Sequence, residues 1–191
     1  MKIVLASSSL YRKQLLEKII PIFEIDSPNI DESRQPNESF ISQAQRLAYE
    51  KAQILSNNHP NALIIGSDQV ACLGTEQLCK PLNAENTFKQ LKHCQGQTVN
   101  FHTGICLFNS ATQQFQSTVE SYQTKFRLLS DHQIKSYINK EPAFDCAGGF
   151  KVEGLGIALF EKISGNDPNI LVGLPLIRLI SMLEKEGVAV L

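Results

Sequence analysis

Ala62-Leu63-Ile64-Ile65-Gly66 is an unbroken apolar run, bounded by Pro60 on one side and by the polar triplet Ser67-Asp68-Gln69 on the other. A run this short and this apolar reads as a central strand buried on both faces, which favours a sheet covered by helices. The flanking sequence supplies both. Upstream, Ile3-Val4-Leu5-Ala6 reads as a first strand that turns at Ser7-Ser8-Ser9 into a helix over Leu10 to Ile19. Pro21 stops that helix, and Ile22-Phe23-Glu24-Ile25 reads as a second strand. After a proline-rich polar loop from Pro28 to Pro36, Asn37 is expected to cap a helix from Glu38 to about Leu55, with Ala44, Leu47, Ala48 and Ala52 on its buried stripe. Downstream, Val70 to Leu73 continues as strand into a hairpin turn at Gly74-Thr75-Glu76, followed by Lys80-Pro81 and a helix over Ala84 to Lys92.

Thr98 to Phe108 and Gln114 to Leu128 are long β-prone segments joined by a polar turn, the pattern of an antiparallel hairpin. Ser130-Asp131 caps a helix to about Asn139. A glycine-rich loop at Gly148-Gly149, a strand near Ile157 to Phe160, a polar loop from Ser164 to Asn169 and a helix after Gly173-Leu174-Pro175 complete the chain. Helices flanking buried strands and hairpins indicate a mixed α/β fold. No repeat or linker interrupts it, so its 191 residues read as a single domain spanning 1–191.

A net charge of −1 provides no global field for nucleic acid or an anionic membrane, so any basic site must be local. No apolar run approaches the roughly 20 residues of a spanning helix, and no signal-like segment precedes the first strand. Cytoplasmic localisation is the expectation. The five cysteines, at positions 72, 79, 94, 106 and 146, lack metal or redox spacing and read as reduced thiols.

The strand-to-helix turn at Ser7 to Ser9 aims free backbone N–H groups at whatever lies above it, an arrangement suited to phosphate. Arg12 and Lys13 stand unfavourably beside the positive end of the helix dipole, which a bound anion would explain. Asp68 follows the most apolar strand, where open α/β sheets place ligand-binding groups; a turn aspartate or helix cap is the alternative. Lys51, near a helix C-terminus, is accounted for by the dipole alone. Lys80 is held extended by the proline after it and suits either a point charge toward phosphate or a solvated surface. His102 reads as structural, and no Walker loop, dinucleotide fingerprint or nucleophile elbow is present.

The segments L-A-S-S-S-L-Y-R-K at the start, Asp31-Glu32, R-L-A-Y-E-K-A from Arg46, I-I-G-S-D-Q-V from Ile64, C-K-P at 79–81, H-T-G at 102–104 and V-G-L-P-L at 172–176, in that order, resemble the Maf family of nucleotide pyrophosphatases. The resemblance spans nearly the whole chain. It implies hydrolysis of a nucleoside triphosphate to a monophosphate and diphosphate, with Mg²⁺ or Mn²⁺. It also implies a twisted mixed sheet with flanking helices, two lobes around a central cleft, similar to inosine triphosphatase folds. By position it implies Asp68 as proton acceptor, Ser7, Arg12, Lys51 and Lys80 as phosphate-binding residues, and Glu32 with Asp68 as metal ligands. The residue types agree, since carboxylates are hard oxygen ligands and the cations balance a triphosphate. Whether Asp68 serves mainly as base or as ligand stays open.

Two departures narrow the resemblance. Leu10-Tyr11-Arg12-Lys13 stands where many relatives have proline followed by arginines, and Ser67-Asp68-Gln69 where many have aspartate followed by threonine. With Glu153, they resemble the branch acting on 7-methyl-GTP, whose specificity positions fall here on Tyr11, Gln69 and Glu153. N7 methylation makes guanine cationic, so the ring can stack on Tyr11, and Glu153 can accept from N1–H and the exocyclic amine. The expected activity is removal of this modified nucleotide. A dTTP/UTP pyrophosphatase and a non-catalytic nucleotide-binding regulator linked to cell division are the alternatives, and the resemblance allows a homodimer.

Overall fold

The computed structural model describes residues 1–191. Its strands are β1 (Lys2–Ala6), β2 (Glu24–Asp26), β3 (Ala62–Leu73), β4 (Glu76–Leu78), β5 (Thr98–Asn109), β6 (Gln114–Phe126) and β7 (Phe160–Ser164). Its α-helices are α1 (Leu10–Glu17), α2 (Phe40–Gln53), α3 (Ala84–Cys94), α4 (Asp131–Lys140) and α5 (Leu176–Lys185), with short 3-10 turns at Ala147–Gly149, Leu155–Leu159 and Pro168–Val172. The sheet order is β2-β1-β3-β5-β6-β7, with β4 added to β3, which is the mixed α/β architecture the sequence indicates. No helix is long and apolar enough to cross a membrane.

The chain divides into two compact units. The first comprises Met1–Gln69, His102–Glu120 and Asp167–Leu191; the second comprises Val70–Phe101 and Ser121–Asn166. In the first unit, β1 runs parallel to both β2 and β3, with Lys2 opposite Ala62 and Ala6 opposite Gly66. Ser110 N donates to Ala62 O, while the Gln69 side chain meets Thr103, so β5 runs antiparallel to β3.

Alternation along these strands divides the core into two layers. Ile3, Leu5, Leu63, Ile65, Ile105 and Leu107 pack with Leu15 and Leu16 of α1 and with Leu179 and Leu183 of α5. Val4, Ala6, Ile64, Cys106 and Phe108 pack with Ala48 and Ala52 of α2. Two glycines let α2 lie close: a Cβ on Gly66 would meet Ala48 O at 2.1 Å, and one on Gly104 would meet Ala44 O at 2.0 Å.

Three local expectations need correction here. The N-cap of α2 is Ser39, whose Oγ accepts from Ser42 N at 3.0 Å. Asn37 instead adopts a left-handed conformation (φ 60°) in the preceding turn, a role asparagine tolerates. The second strand is Glu24–Asp26 and excludes Ile22, which is exposed. Ser67-Asp68-Gln69 does not end the central strand but lies inside a 12-residue β3. Polar side chains persist there because each finds a partner within the folded unit. β1 stops opposite Gly66, so this triplet still lies just past the carboxyl end of the neighbouring parallel strand.

In the second unit, β3 and β4 form a hairpin pairing Leu73 with Glu76 around Gly74 (φ +58°). β6 and β7 pair antiparallel. Phe150 stands edge-on to Phe101, Phe126 and Phe160 at centroid distances of 5.5, 5.7 and 4.8 Å, which fills the core. Helix α4 begins with a full capping box from Ser130 and Gln133. The strand expected at Ile157 is a 3-10 turn, and β7 starts only at Phe160. Gly156 N donates to Lys151 O and to Glu141 Oε2, both at 3.0 Å, and this holds the chain in a turn where extended pairing would need it open.

Candidate active site

In the first unit, β3 carries Ser67, Asp68 and Gln69 on alternating faces. Asp68 points to the α2 side, where Lys51 approaches it: Lys51 Nζ donates to Asp68 Oδ1 at 2.7 Å. The same ammonium lies 2.7 Å from Glu32 Oε1. Lys51 is buried, so the helix dipole alone does not account for it; a buried ammonium requires such partners.

The loop bearing Glu32 is tied to α2 by Arg46. Its guanidinium grips Glu38 with two bonds, Nε to Oε1 at 2.7 Å and Nη2 to Oε2 at 2.9 Å. It also donates to Glu50 Oε2 at 3.0 Å and to Ser33 O at 3.1 Å, one residue beyond Glu32. Hydrogen bonding from Arg46 holds the Glu38 carboxyl below its usual range. Sequence reasoning missed this clamp, although Arg46 opens the motif that carries Lys51.

On the other face, Arg12 donates through Nη1 to Ser67 O at 2.7 Å and through Nε to Gly173 O at 2.9 Å. Part of the reason for a cation in the first turn of α1 is therefore structural: with β1 ended, Arg12 takes up the Ser67 carbonyl. These two bonds use two of the five N–H groups a guanidinium carries. Burial lowers the Arg12 pKa, while the negative charges of Asp68 and Glu32 oppose that fall. Gly173 is left-handed (φ +103°), and a Cβ there would lie 3.0 Å from Arg12 Nε, which accounts for glycine in V-G-L-P. Ser67 Oγ lies 2.8 Å from both Gly104 O and Gly173 O.

Gln69 Nε2 donates to Thr103 Oγ1 at 3.1 Å and to Ile170 O at 2.5 Å. Its amide nitrogen is thereby engaged by the protein. Ser7 is buried, its Oγ accepting from Ser9 N at 3.1 Å, and Ser9 caps α1 by accepting from Arg12 N at 3.4 Å. Tyr11 is half-buried in the first turn. Lys13, at 3.6 Å from Glu17, forms an exposed pair within the helix.

Residues 2–186 match the profile of the Maf family, described as Maf-like protein. The chain belongs to the Maf family. Among its relatives, the 7-methyl-GTP pyrophosphatase of Methylobacillus flagellatus is 51% identical over 99% of this chain and 98% of that protein. The 7-methyl-GTP pyrophosphatase of Nitrosococcus oceani is 49% identical over 99% of this chain and 95% of that protein. A HAM1 protein from Coxiella burnetii shares the fold, with a TM-score of 0.54 at 15% identity over 97% of this chain and 99% of that one.

Lys80 and Glu153 belong to the second unit of this Maf fold, and both are exposed. Lys80 follows β4, and its segment is anchored where Leu82 N donates to Phe144 O at 3.0 Å. Glu153 lies in a loop fixed by Glu141, against whose carboxylate a Cβ on Gly154 would press at 2.0 Å. Burial first, and then neighbouring charges that include Glu153, push the Cys146 thiol up to about 12.

The donor set fits a divalent cation. Glu32 and Asp68 come from different segments yet share one ammonium, and Mg²⁺ is characteristically held by one or two carboxylates together with substrate phosphates. No group of three or more His, Cys, Asp or Glu converges anywhere in the structure, so the protein offers at most these two carboxylates here and the remaining ligands would have to be phosphate or water.

Proposed function

We propose that this Maf protein hydrolyses 7-methyl-GTP to 7-methyl-GMP and diphosphate in the cytoplasm, with Mg²⁺ or Mn²⁺ bound. The observation that carries the reading is the buried Asp68 carboxylate, held at 2.7 Å by Lys51 and within the field of Arg12. The names of the relatives supply the substrate.

Asp68 accepts a proton from water as the water oxygen bonds to the α-phosphorus. The bond from that phosphorus to the α–β bridging oxygen breaks, and its electron pair leaves with diphosphate. Arg12, Lys51 and Lys80 balance the phosphate charge, and the Ser7 hydroxyl, which accepts from Ser9 N, donates its own proton to a phosphate oxygen. A divalent ion held by Glu32 and Asp68 would supply charge neutralisation at the phosphates.

Tyr11 stacks on the cationic 7-methylguanine, and Glu153 accepts from its N1–H and amine. With Nε2 engaged by Thr103 and Ile170, Gln69 presents its side-chain oxygen, a second acceptor suited to a donor-rich base edge.

The test is diphosphate release from 7-methyl-GTP, GTP, dTTP and UTP with Mg²⁺ or Mn²⁺, for wild type and Glu153→Gln. Wild type turns over 7-methyl-GTP fastest, and Glu153→Gln narrows its lead. Faster release from dTTP and UTP would overturn the substrate, and nucleotide binding without diphosphate release would indicate a regulator.

A further inference from the structure

Lys51 Nζ stands 2.7 Å from a carboxylate oxygen of Glu32 and 2.7 Å from one of Asp68, so one ammonium bridges two carboxylates. The Lys51 and Asp68 side chains are 8% and 10% exposed, and that of Glu32 is 59% exposed. Arg12 is a second cation coupled electrostatically to both acids. Two carboxylates and two cations cancel, so the site is already neutral before any ligand arrives.

We infer that Lys51 is a placeholder cation: its ammonium holds the bridging position between Glu32 and Asp68 that a divalent ion needs, and metal and polyphosphate therefore enter together. The inference rests on the pyrophosphatase reading for the identity of the incoming pair. A divalent ion approaching alone meets carboxylates whose charge is already balanced and an ammonium that repels it at short range. Displacing that ammonium alone would strand a buried charge, which is costly.

A phosphate chain removes the obstacle. Lysine carries three rotatable donors on a flexible four-carbon stem, so Nζ can transfer from carboxylate to phosphate oxygen while remaining paired. The same movement frees Glu32 and Asp68 for the metal. Lys51 then couples two binding events, and the coupling is reciprocal.

The test is Mn²⁺ binding followed by electron paramagnetic resonance without nucleotide, for wild type, Lys51→Gln and Lys51→Met, with thermal unfolding in parallel. Lys51→Gln removes the charge and keeps an N–H donor for the carboxylates, on a stem one atom shorter. Both variants are expected to bind Mn²⁺ about tenfold or more tightly than wild type, because the repelling charge is gone. Mn²⁺ also raises their unfolding temperature more than it raises that of wild type. Equal or weaker Mn²⁺ binding by the variants overturns the inference, as do variants that stay unfolded when Mn²⁺ is added. No turnover is read in this experiment, so its failure leaves the pyrophosphatase reading to the diphosphate-release panel.

Discussion

Replacing Gly104 by alanine tests whether the close approach of α2 to the sheet sets up the site. With Ala62 paired to Ser110, Gly104 falls opposite Asp68 on the same face of the sheet. A Cβ at this position would sit 2.0 Å from Ala44 O and 2.5 Å from Ala44 C. Both are backbone atoms on the buried face of α2, so relief requires the helix to retreat by more than 1 Å, because ordinary contact begins near 3.4 Å. Overpacking of this kind costs up to about 3 kcal/mol. For a chain of this size that lowers the unfolding temperature by roughly 6–12 °C. Lys51 rides on the same helix, two turns further along, and its 2.7 Å contact with Asp68 lengthens as the helix moves. Misplacement by about 1 Å reduces turnover roughly 100-fold. Gly74→Ala is the control: it is left-handed at φ +58° with nothing within 4 Å of the added carbon, so it loses about 1 kcal/mol and no activity. Unfolding temperature by calorimetry and diphosphate release from 7-methyl-GTP are the readouts. A Gly104→Ala protein as stable and active as Gly74→Ala would refute the argument that helix proximity positions Lys51.

Asp68→Asn leaves Lys51 its contact with Glu32, so the fold holds by circular dichroism while kcat falls by about 10²–10⁴; wild-type turnover would sink the assignment of Asp68 as proton acceptor. Arg46→Ala releases the loop that carries Glu32 and raises the Mn²⁺ concentration needed for half-maximal activity, whereas Arg46→Lys, lacking the two-pronged grip on Glu38, restores only part of it. The Arg46 contact also has a pH signature. Because the folded Glu38 pKa lies below its ordinary value of 4.5, the associated stability is complete above that value and is lost as pH falls through the folded one. The stability gap between wild type and Arg46→Ala in urea should therefore close in acid, and a gap that is constant with pH would exclude the pair as its source.

Elements with local signals were legible: the apolar run of β3, the Gly74 hairpin, the Ser130 cap of α4 and the glycine-proline entry to α5 all depend on neighbours in sequence. Features set by distant partners were not. Ser67-Asp68-Gln69 looked like the end of a strand because polar residues are rarely buried in one, and the partners that permit it lie 17 to 106 positions away, from Lys51 to Gly173. The candidate site residues came from motif resemblance, which paired Glu32 with Asp68 but did not give the contacts that join them. Nothing local indicates that Lys51 serves two acids, that Arg12 stitches β3 to Gly173, or that the Gln69 amide is engaged by Thr103. Asn37 misled for a physical reason, since asparagine suits an N-cap and a left-handed turn equally well.

The alternation of β3 explains how three consecutive residues serve different tasks. Successive side chains point to opposite faces, so Asp68 joins Lys51 on the α2 side while Ser67 and Gln69 face Gly173 and Ile170. A one-residue slip in register would exchange the faces of Asp68 and Gln69 and bury a carboxylate without its ammonium. The register is protected at two points. Ala6 pairs with Gly66 at the end of β1, and only glycine at positions 66 and 104 admits the backbone of α2, since a Cβ there would come within 2.1 and 2.0 Å of its carbonyl oxygens. A slip would bring bulkier residues against that helix, so the packing that stabilises the sheet also fixes which face the carboxylate occupies. The proton acceptor proposed at Asp68 and the base contact proposed at Gln69 are therefore separated by strand geometry itself, and substitutions at Gln69 can leave the Lys51–Asp68 pair in place.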